Sequence, residues 1–167
     1  MKCPEVDWSS WVPTEVATLL FVVPGDGRVL LIDKKRGHGR GLINAPGGHL
    51  EPGESALECA VREVREELCI EVQDPREAGL LRFHFMDGMR MQGHVFKGTR
   101  YSGTPTETDE AAPLWFEISK IPYHRMWQDD PLWVPLMLHD IQFDGRFVFD
   151  GERMLWHDVK PIGTHES

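Results

Sequence analysis

A mixed α/β (α+β) fold is predicted by three observations: apolar, β-branched runs towards both ends of the chain, one strongly amphipathic helical pattern between them, and turn chemistry that separates each from the next. The opening runs are Glu15–Val23 and Arg28–Asp33, and Pro24-Gly25-Asp26-Gly27 between them predicts a hairpin. Glu51-Pro52-Gly53-Glu54 supplies a turn, and Ser55 with Glu58 forms a capping box, so a helix is expected to start near Ala56. Leu57, Ala60, Val61, Val64 and Leu68 follow at three- and four-residue steps and make one apolar stripe facing a core. A second helix is expected around Leu132–Leu138, with Pro131 near its start and Asp129 or Asp130 as its cap. Phe143–Phe149 and Met154–Val159 read as a closing hairpin around Asp150-Gly151. One domain over 14–160 is expected, with an extension at 1–13 and a tail at 161–167 that is mobile from Gly163. Three uses are open to Trp8 and Trp11 in the extension: covering the sheet, covering a binding pocket, or mediating dimer contacts.

The chain has 167 residues, enough for one domain with a sizeable core. Its net charge of −9 argues against a general nucleic-acid binder, which needs positive phosphate-facing patches. No apolar run is long enough to span a membrane, and the opening Met-Lys-Cys-Pro-Glu lacks the apolar region of a signal peptide. The 3 cysteines have no metal-type spacing and suit free thiols, so a cytoplasmic location is expected.

Chemistry concentrates in Gly48–Ile70, where Gly48, Glu54, Arg62-Glu63 and Glu66-Glu67 recur at fixed spacing. By average residue usage, such a match arises by chance on the order of once in ten million starts. Glu63 and Glu67 stand four apart with Glu66 beside them, and like charges at that spacing repel by a few tenths of a kcal/mol. A solvated helix face is the bland reading of such a pattern. An all-oxygen carboxylate cluster also suits a hard divalent cation such as Mg²⁺, which is held by a few carboxylates, waters and substrate phosphates. Gly47-Gly48 just upstream lets backbone carbonyls and amides come close to a metal or phosphate.

This stretch resembles the 23-residue signature of the Nudix hydrolases, which cleave nucleoside diphosphates linked to another group. It departs at Cys69, where the family has a glycine; that glycine would end the helix in a left-handed conformation, and a cysteine there is expected to strain the exit by roughly 1 kcal/mol. The resemblance implies an α/β/α sandwich with a curved mixed sheet between the two helices. It also implies Mg²⁺, with Mn²⁺ as a substitute, held by Glu63, Glu66, Glu67, the carbonyl of Gly47 and a distant acid, Glu110, with Glu107 and Asp109 as alternatives to it. Arg62 would orient the carboxylates, and Glu63 or Glu67 would take a proton from the attacking water.

Beyond the signature, Lys34-Lys35-Arg36-Gly37, Thr104–Glu110, Leu114-Trp115-Phe116 and Met126–Asp130 resemble the branch of the family that hydrolyses oxidised purine nucleoside triphosphates. The likeness implies that Trp127 offers a ring face to the purine while Asn44, Asp129 and Asp130 read its edge. Phe83, Phe85 and Met91 would wall the pocket, with Thr18 and Lys34 at its rim. Each has a duller reading: the alternating Phe83, Phe85 and Met91 as strand core, Trp127 as a buried anchor, Lys34-Lys35-Arg36 as a solvated cluster. The products would be a nucleoside monophosphate and pyrophosphate. Diadenosine polyphosphates, ADP-ribose or the 5′ end of RNA are equally compatible with the signature, and a nucleotide-sensing module is the non-enzymatic alternative. Retention of all three box carboxylates speaks against the sensor.

Overall fold

Glu15–Val22 (β1) and Arg28–Lys34 (β2) bury residues on both faces, so they lie in the middle of the molecule. The computed structural model describes residues 3–164. Its further elements are Ile43–Asn44 (β3), Ala56–Leu68 (α1), Glu71–Gln73 (β4), Arg76–Phe85 (β5), Arg90–Gly98 (β6), Arg100–Ser102 (β7), Ala111–Glu117 (β8), Asp130–Leu138 (α2), Ile141–Asp150 (β9) and Arg153–Thr164 (β10), with short 3-10 turns at Ile118–Lys120 and Tyr123–Arg125. An eight-stranded sheet runs β10-β9-β5-β6-β1-β2-β3, with β8 on the other side of β2; β4 and β7 pair separately. The pairs β1–β6 and β5–β9 are parallel, and the rest of the sheet is antiparallel.

Each helix covers one face. Ala60, Val64 and Leu68 of α1 pack on Leu20, Leu30, Ile32 and Phe96, whereas Trp133, Val134 and Met137 of α2 pack on Phe21, Leu31, Leu81, Val95 and Phe143. The sheet lies between the helices. No helix among the described residues is long and apolar enough to cross a membrane.

The expected capping box is present, with Ser55 Oγ accepting from the Glu58 N–H and the Glu58 carboxylate accepting from Ser55 N–H. The apolar stripe is set differently. Leu57 is 44 % exposed, because burial on α1 begins at Cys59 and Ala60, and Cys59 and Glu67 join the buried face instead.

The first hairpin is present but pairs only beside its turn. β1 and β2 pair only at Val22↔Leu30, since β1 runs parallel to β6 over its whole length and β2 pairs with β8 from Arg28 to Lys34. Between them lies the segment from Pro46 to Leu50, which takes the hydrogen bonds a hairpin partner would have: Leu20 N–H to Pro46 O (2.8 Å), Thr18 N–H to Gly48 O (2.8 Å) and Leu50 N–H to Val16 O (3.1 Å).

Asp129 holds the N-cap position of α2 with helical dihedrals (φ −77°, ψ −25°) and makes no side-chain cap bond, so the capping reading fails for it. Its carboxylate accepts from Trp133 Nε1 instead, at 2.7 Å. The last strand continues to Thr164, so the segment expected as a tail from 161 begins inside a strand; residues 165–167 lie outside the described residues. Trp8 stacks on Trp156 of β10 (5.8 Å), Trp11 lies beside it, and Arg146 of β9 sits over the Trp8 ring. The extension therefore lies on the β9–β10 sheet surface.

Cys69 adopts the left-handed conformation (φ 62°, ψ 31°), its N–H donating to Arg65 O. A side chain in that region costs about 1–2 kcal/mol, whereas glycine costs roughly 0.5–1 kcal/mol through its freer unfolded chain. Cys69→Gly is therefore expected to stabilise the fold by about 0.5–1 kcal/mol, read as a rise of roughly 1–4 °C in Tm by calorimetry.

Candidate active site

Gly47 brings loop and helix together. A Cβ built on it would lie 1.8 Å from Thr18 O, and one on Gly48 would lie 2.4 Å from the Glu63 carboxyl carbon. With no side chains, the two glycines let the loop pass between β1 and α1, and Gly47 N–H donates to Glu67 Oε1 at 2.9 Å. That amide, on the same residue as the expected carbonyl ligand, holds the acid in place.

Glu63, Glu67 and Glu110 each offer a carboxylate oxygen, all within 4.8 Å of one another. Glu110 arrives on the loop before β8. The same loop closes the C-terminus of α1, through Thr106 N–H to Leu68 O (2.9 Å) and Thr108 Oγ1 to Glu67 O (2.8 Å). Glu67 is only 2 % exposed, and burial pushes its carboxyl up to about 8; Glu63 is raised by the same cause. An all-oxygen set this close, with two acids whose charged forms are disfavoured by burial, fits a hard divalent cation. Glu66 stands outside the cluster, on the exposed side of α1. Glu107 pairs with Lys35, and Asp109 is not among the three.

Arg62 answers the repulsion among the acids. Its guanidinium donates to both oxygens of Glu54 (2.6 and 2.9 Å), to Glu63 (2.9 Å), to Glu66 (3.2 Å) and to His49 O (3.2 Å). The bidentate bond holds Glu54 down to about 2. Lys34 approaches from β2, its pKa lowered by burial while Glu67, Glu63 and Glu110 act in the opposite direction. Arg36 donates to Glu110 at 3.2 Å.

Next to the acids opens a pocket that brings together Thr18, Lys34, Asn44, Phe83, Phe85, Met91, Trp127, Asp129 and Asp130. Phe83 is both wall and core, stacked on Phe147 at 5.1 Å. Thr18 is buried, with its hydroxyl between Gly48 O and Cys59 Sγ rather than at an open rim. Asn44 is oriented by donating to Leu42 O and Gly39 O. Gln128 accepts from Met154 N–H, so its amide is tied to β10. Asp129 and Asp130 are 2 % and 7 % exposed. Burial raises both carboxyls, and Asp129 Oδ1 has no hydrogen-bond partner among the described residues.

His38 was not foreseen. Its imidazole stacks on Trp127 at 4.8 Å with 21° between the planes and meets Phe85 edge-on at 5.3 Å. The loop that carries it has Gly37, Gly39 and Gly41 at φ 82°, 86° and 84°. Such glycine alternation was the available signal, since each residue requires the left-handed region.

The NUDIX domain family matches this chain over residues 13–137. The chain belongs to the Nudix hydrolase family. It is 43 % identical over 147 residues to the oxidized purine nucleoside triphosphate hydrolase of Danio rerio, covering 87 % of this chain and 90 % of that protein. The protein of the same name from Mus musculus is 37 % identical over 88 % of this chain and 95 % of its own. Among solved structures, a MutT protein from Bacillus halodurans superposes with a TM-score of 0.77 and 28 % identity, covering 87 % of this chain and 97 % of its own. As a Nudix hydrolase the chain is an enzyme acting on phosphoanhydride bonds, and the family works with divalent metal ions.

The raised Glu67 carboxyl has a consequence for stability. The folded chain holds this proton more tightly than the unfolded chain, whose glutamate titrates near 4.5, so the stabilisation is complete below about pH 4.5 and is lost as pH rises through about 8. In chelator-treated protein, Glu67→Gln is expected to leave stability unchanged near pH 4 and to raise it by on the order of 2 kcal/mol near pH 9, measured by urea unfolding. Divalent ions at about pH 8 should then raise the wild-type midpoint more than that of the variant.

Proposed function

We propose that this Nudix hydrolase acts on oxidised purine nucleoside triphosphates, such as 8-oxo-dGTP and 2-hydroxy-dATP, releasing the monophosphate and pyrophosphate, with Mg²⁺ as its ion and Mn²⁺ as a substitute. Cytoplasmic nucleotide-pool sanitation is the corresponding role. One observation carries the reading: the partnerless Asp129 Oδ1 lies in an aromatic pocket that opens beside three clustered acids. A buried polar atom without a partner in the protein marks a place for a ligand's hydrogen bond. The names of the relatives in Danio rerio and Mus musculus support the same substrate class.

Asp129 and Asp130 share a desolvated environment that disfavours two adjacent charges. With one proton between them they present an acceptor and a donor together, which matches both keto and amino purine edges. Trp127 supplies an aromatic face, and Asn44 a second polar group at the edge of the base. At the reacting end, a bound divalent ion would neutralise phosphate charge and acidify the attacking water. Glu67, whose burial makes it a better proton acceptor than an ordinary glutamate, would take the proton of that water. Arg62 keeps Glu63 in position, and Lys34 adds positive charge facing the phosphates.

Steady-state hydrolysis of 8-oxo-dGTP, 2-hydroxy-dATP, dGTP, dATP, ADP-ribose and diadenosine tetraphosphate, with Mg²⁺ and then Mn²⁺, tests the reading. The expected outcome is a preference of about a hundredfold in kcat/KM for oxidised purines over dGTP and dATP, near 2.7 kcal/mol. Asp129→Asn keeps an oxygen for Trp133 Nε1 but turns an amide to the base, and it should lower that preference by roughly tenfold or more. A flat profile, or a linked dinucleotide as the best substrate, would overturn the purine assignment and leave the hydrolase.

A further inference from the structure

The three clustered acids come from two distant parts of the chain, and their carboxylates can share one ion only while those parts keep a fixed separation. Glu63 and Glu67 stand one turn apart on α1, so the helix sets their spacing. Glu110 arrives on the loop before β8. What fixes that loop against the helix therefore fixes the third acid against the other two.

Most of the bonds on the loop lead away from α1. Lys35 N–H donates to Glu110 O (3.0 Å), Lys35 Nζ donates to Thr108 O and to Glu107 Oε2 (2.8 Å each), and Arg36 reaches the Glu110 carboxylate (3.2 Å). These tie Glu110 to the segment that follows β2. Towards α1 the loop reaches through Thr106 N–H to Leu68 O and through the side chain of Thr108. The Thr108 hydroxyl donates to Glu67 O at 2.8 Å and accepts from Glu110 N–H at 3.3 Å. One oxygen atom joins the backbones of two of the acids.

Glu67 O is among the last carbonyls of α1, which lack a partner inside the helix, and any donor would satisfy it. A backbone amide would do so and end there. A hydroxyl has one proton to give and two lone pairs to accept with, so Thr108 serves Glu67 and Glu110 together.

We infer that Thr108 is a positioning residue, whose hydroxyl sets the spacing of Glu110 from Glu67 and through it the affinity of the site for a divalent ion. The inference rests on Glu63, Glu67 and Glu110 forming the metal site. Groups that orient metal ligands from behind change metal affinity or activity by about 10- to 100-fold when they are removed. Thr108→Val keeps the shape of the side chain but neither donates nor accepts, whereas Thr108→Ser keeps the hydroxyl.

The test is Mn²⁺ binding to nucleotide-free protein, followed by the electron paramagnetic resonance signal of the free ion, with the melting temperature of chelator-treated protein recorded beside it. Thr108→Val is expected to weaken Mn²⁺ binding by about tenfold or more, and Thr108→Ser to restore it. The Mg²⁺ concentration that gives half-maximal hydrolysis should rise in parallel for the valine variant. If that variant does not fold, Thr108→Ala carries the same expectation. A group that only caps the helix would lower the melting temperature and leave Mn²⁺ affinity unchanged; that result, or a weakening that serine does not reverse, overturns the positioning role. Glu110→Gln separates this from the site itself. Weaker Mn²⁺ binding in Glu110→Gln with none in Thr108→Val removes the positioning role alone, whereas unchanged binding in Glu110→Gln removes the three-acid site and the role of Thr108 with it.

Discussion

The arrangement depends on one steric fact, the passage of backbone at Gly47 against the carbonyl of Thr18. A Cβ at that point would overlap the oxygen at 1.8 Å, so only glycine lets the loop lie along β1. From there the loop takes hydrogen bonds from Leu20 and Thr18, keeps β2 from zipping onto β1, and places an amide on Glu67. The pocket and the acids lie where the two strands are held apart. A tighter hairpin would have satisfied the same backbone groups and left no cleft.

Charge then has to be managed at a place where it is costly. Arg62 acts as the common counterion, reaching Glu54 in two parallel bonds and Glu63 and Glu66 in single ones. Glu54 lies in the turn that precedes the helix, so the same guanidinium ties turn to helix. Glu67 lies beyond its reach and is held by a backbone amide, which offers a dipole in place of a full charge. Burial raises the Glu67 carboxyl and that dipole only partly offsets it, whereas the bond to Arg62 depresses Glu54.

Local features were readable from sequence in proportion to how local their causes are. The turn, capping box and start of α1 depend on neighbours within four residues, and they stand where the sequence places them. Strand partners depend on residues far away, so the extent of pairing in the first hairpin is not readable locally: nothing in Glu15–Asp33 reveals that Pro46–Leu50 will lie between its arms. Helical spacing puts Glu63, Glu66 and Glu67 together, yet it cannot say which face turns inward, and Glu66 points out. Glu110 joins Glu63 and Glu67 through the chain's path around the end of α1, which only the resemblance to relatives could suggest. Asp129 looked like a cap because Pro131 follows it, but its carboxylate accepts from the indole of Trp133, one turn further along the same helix, in place of a cap bond. His38 belongs to a glycine-rich loop with no periodicity to read.

The ring of His38 lies parallel to Trp127 and 4.8 Å away, with no room for another aromatic layer between them. The protein is thus its own competitor for that side of the indole. Stacked aromatic pairs are worth about 0.5–1.5 kcal/mol, so displacing the imidazole costs a ligand an amount of that order. A planar ligand that takes this side gains its own stacking only in exchange for that of His38.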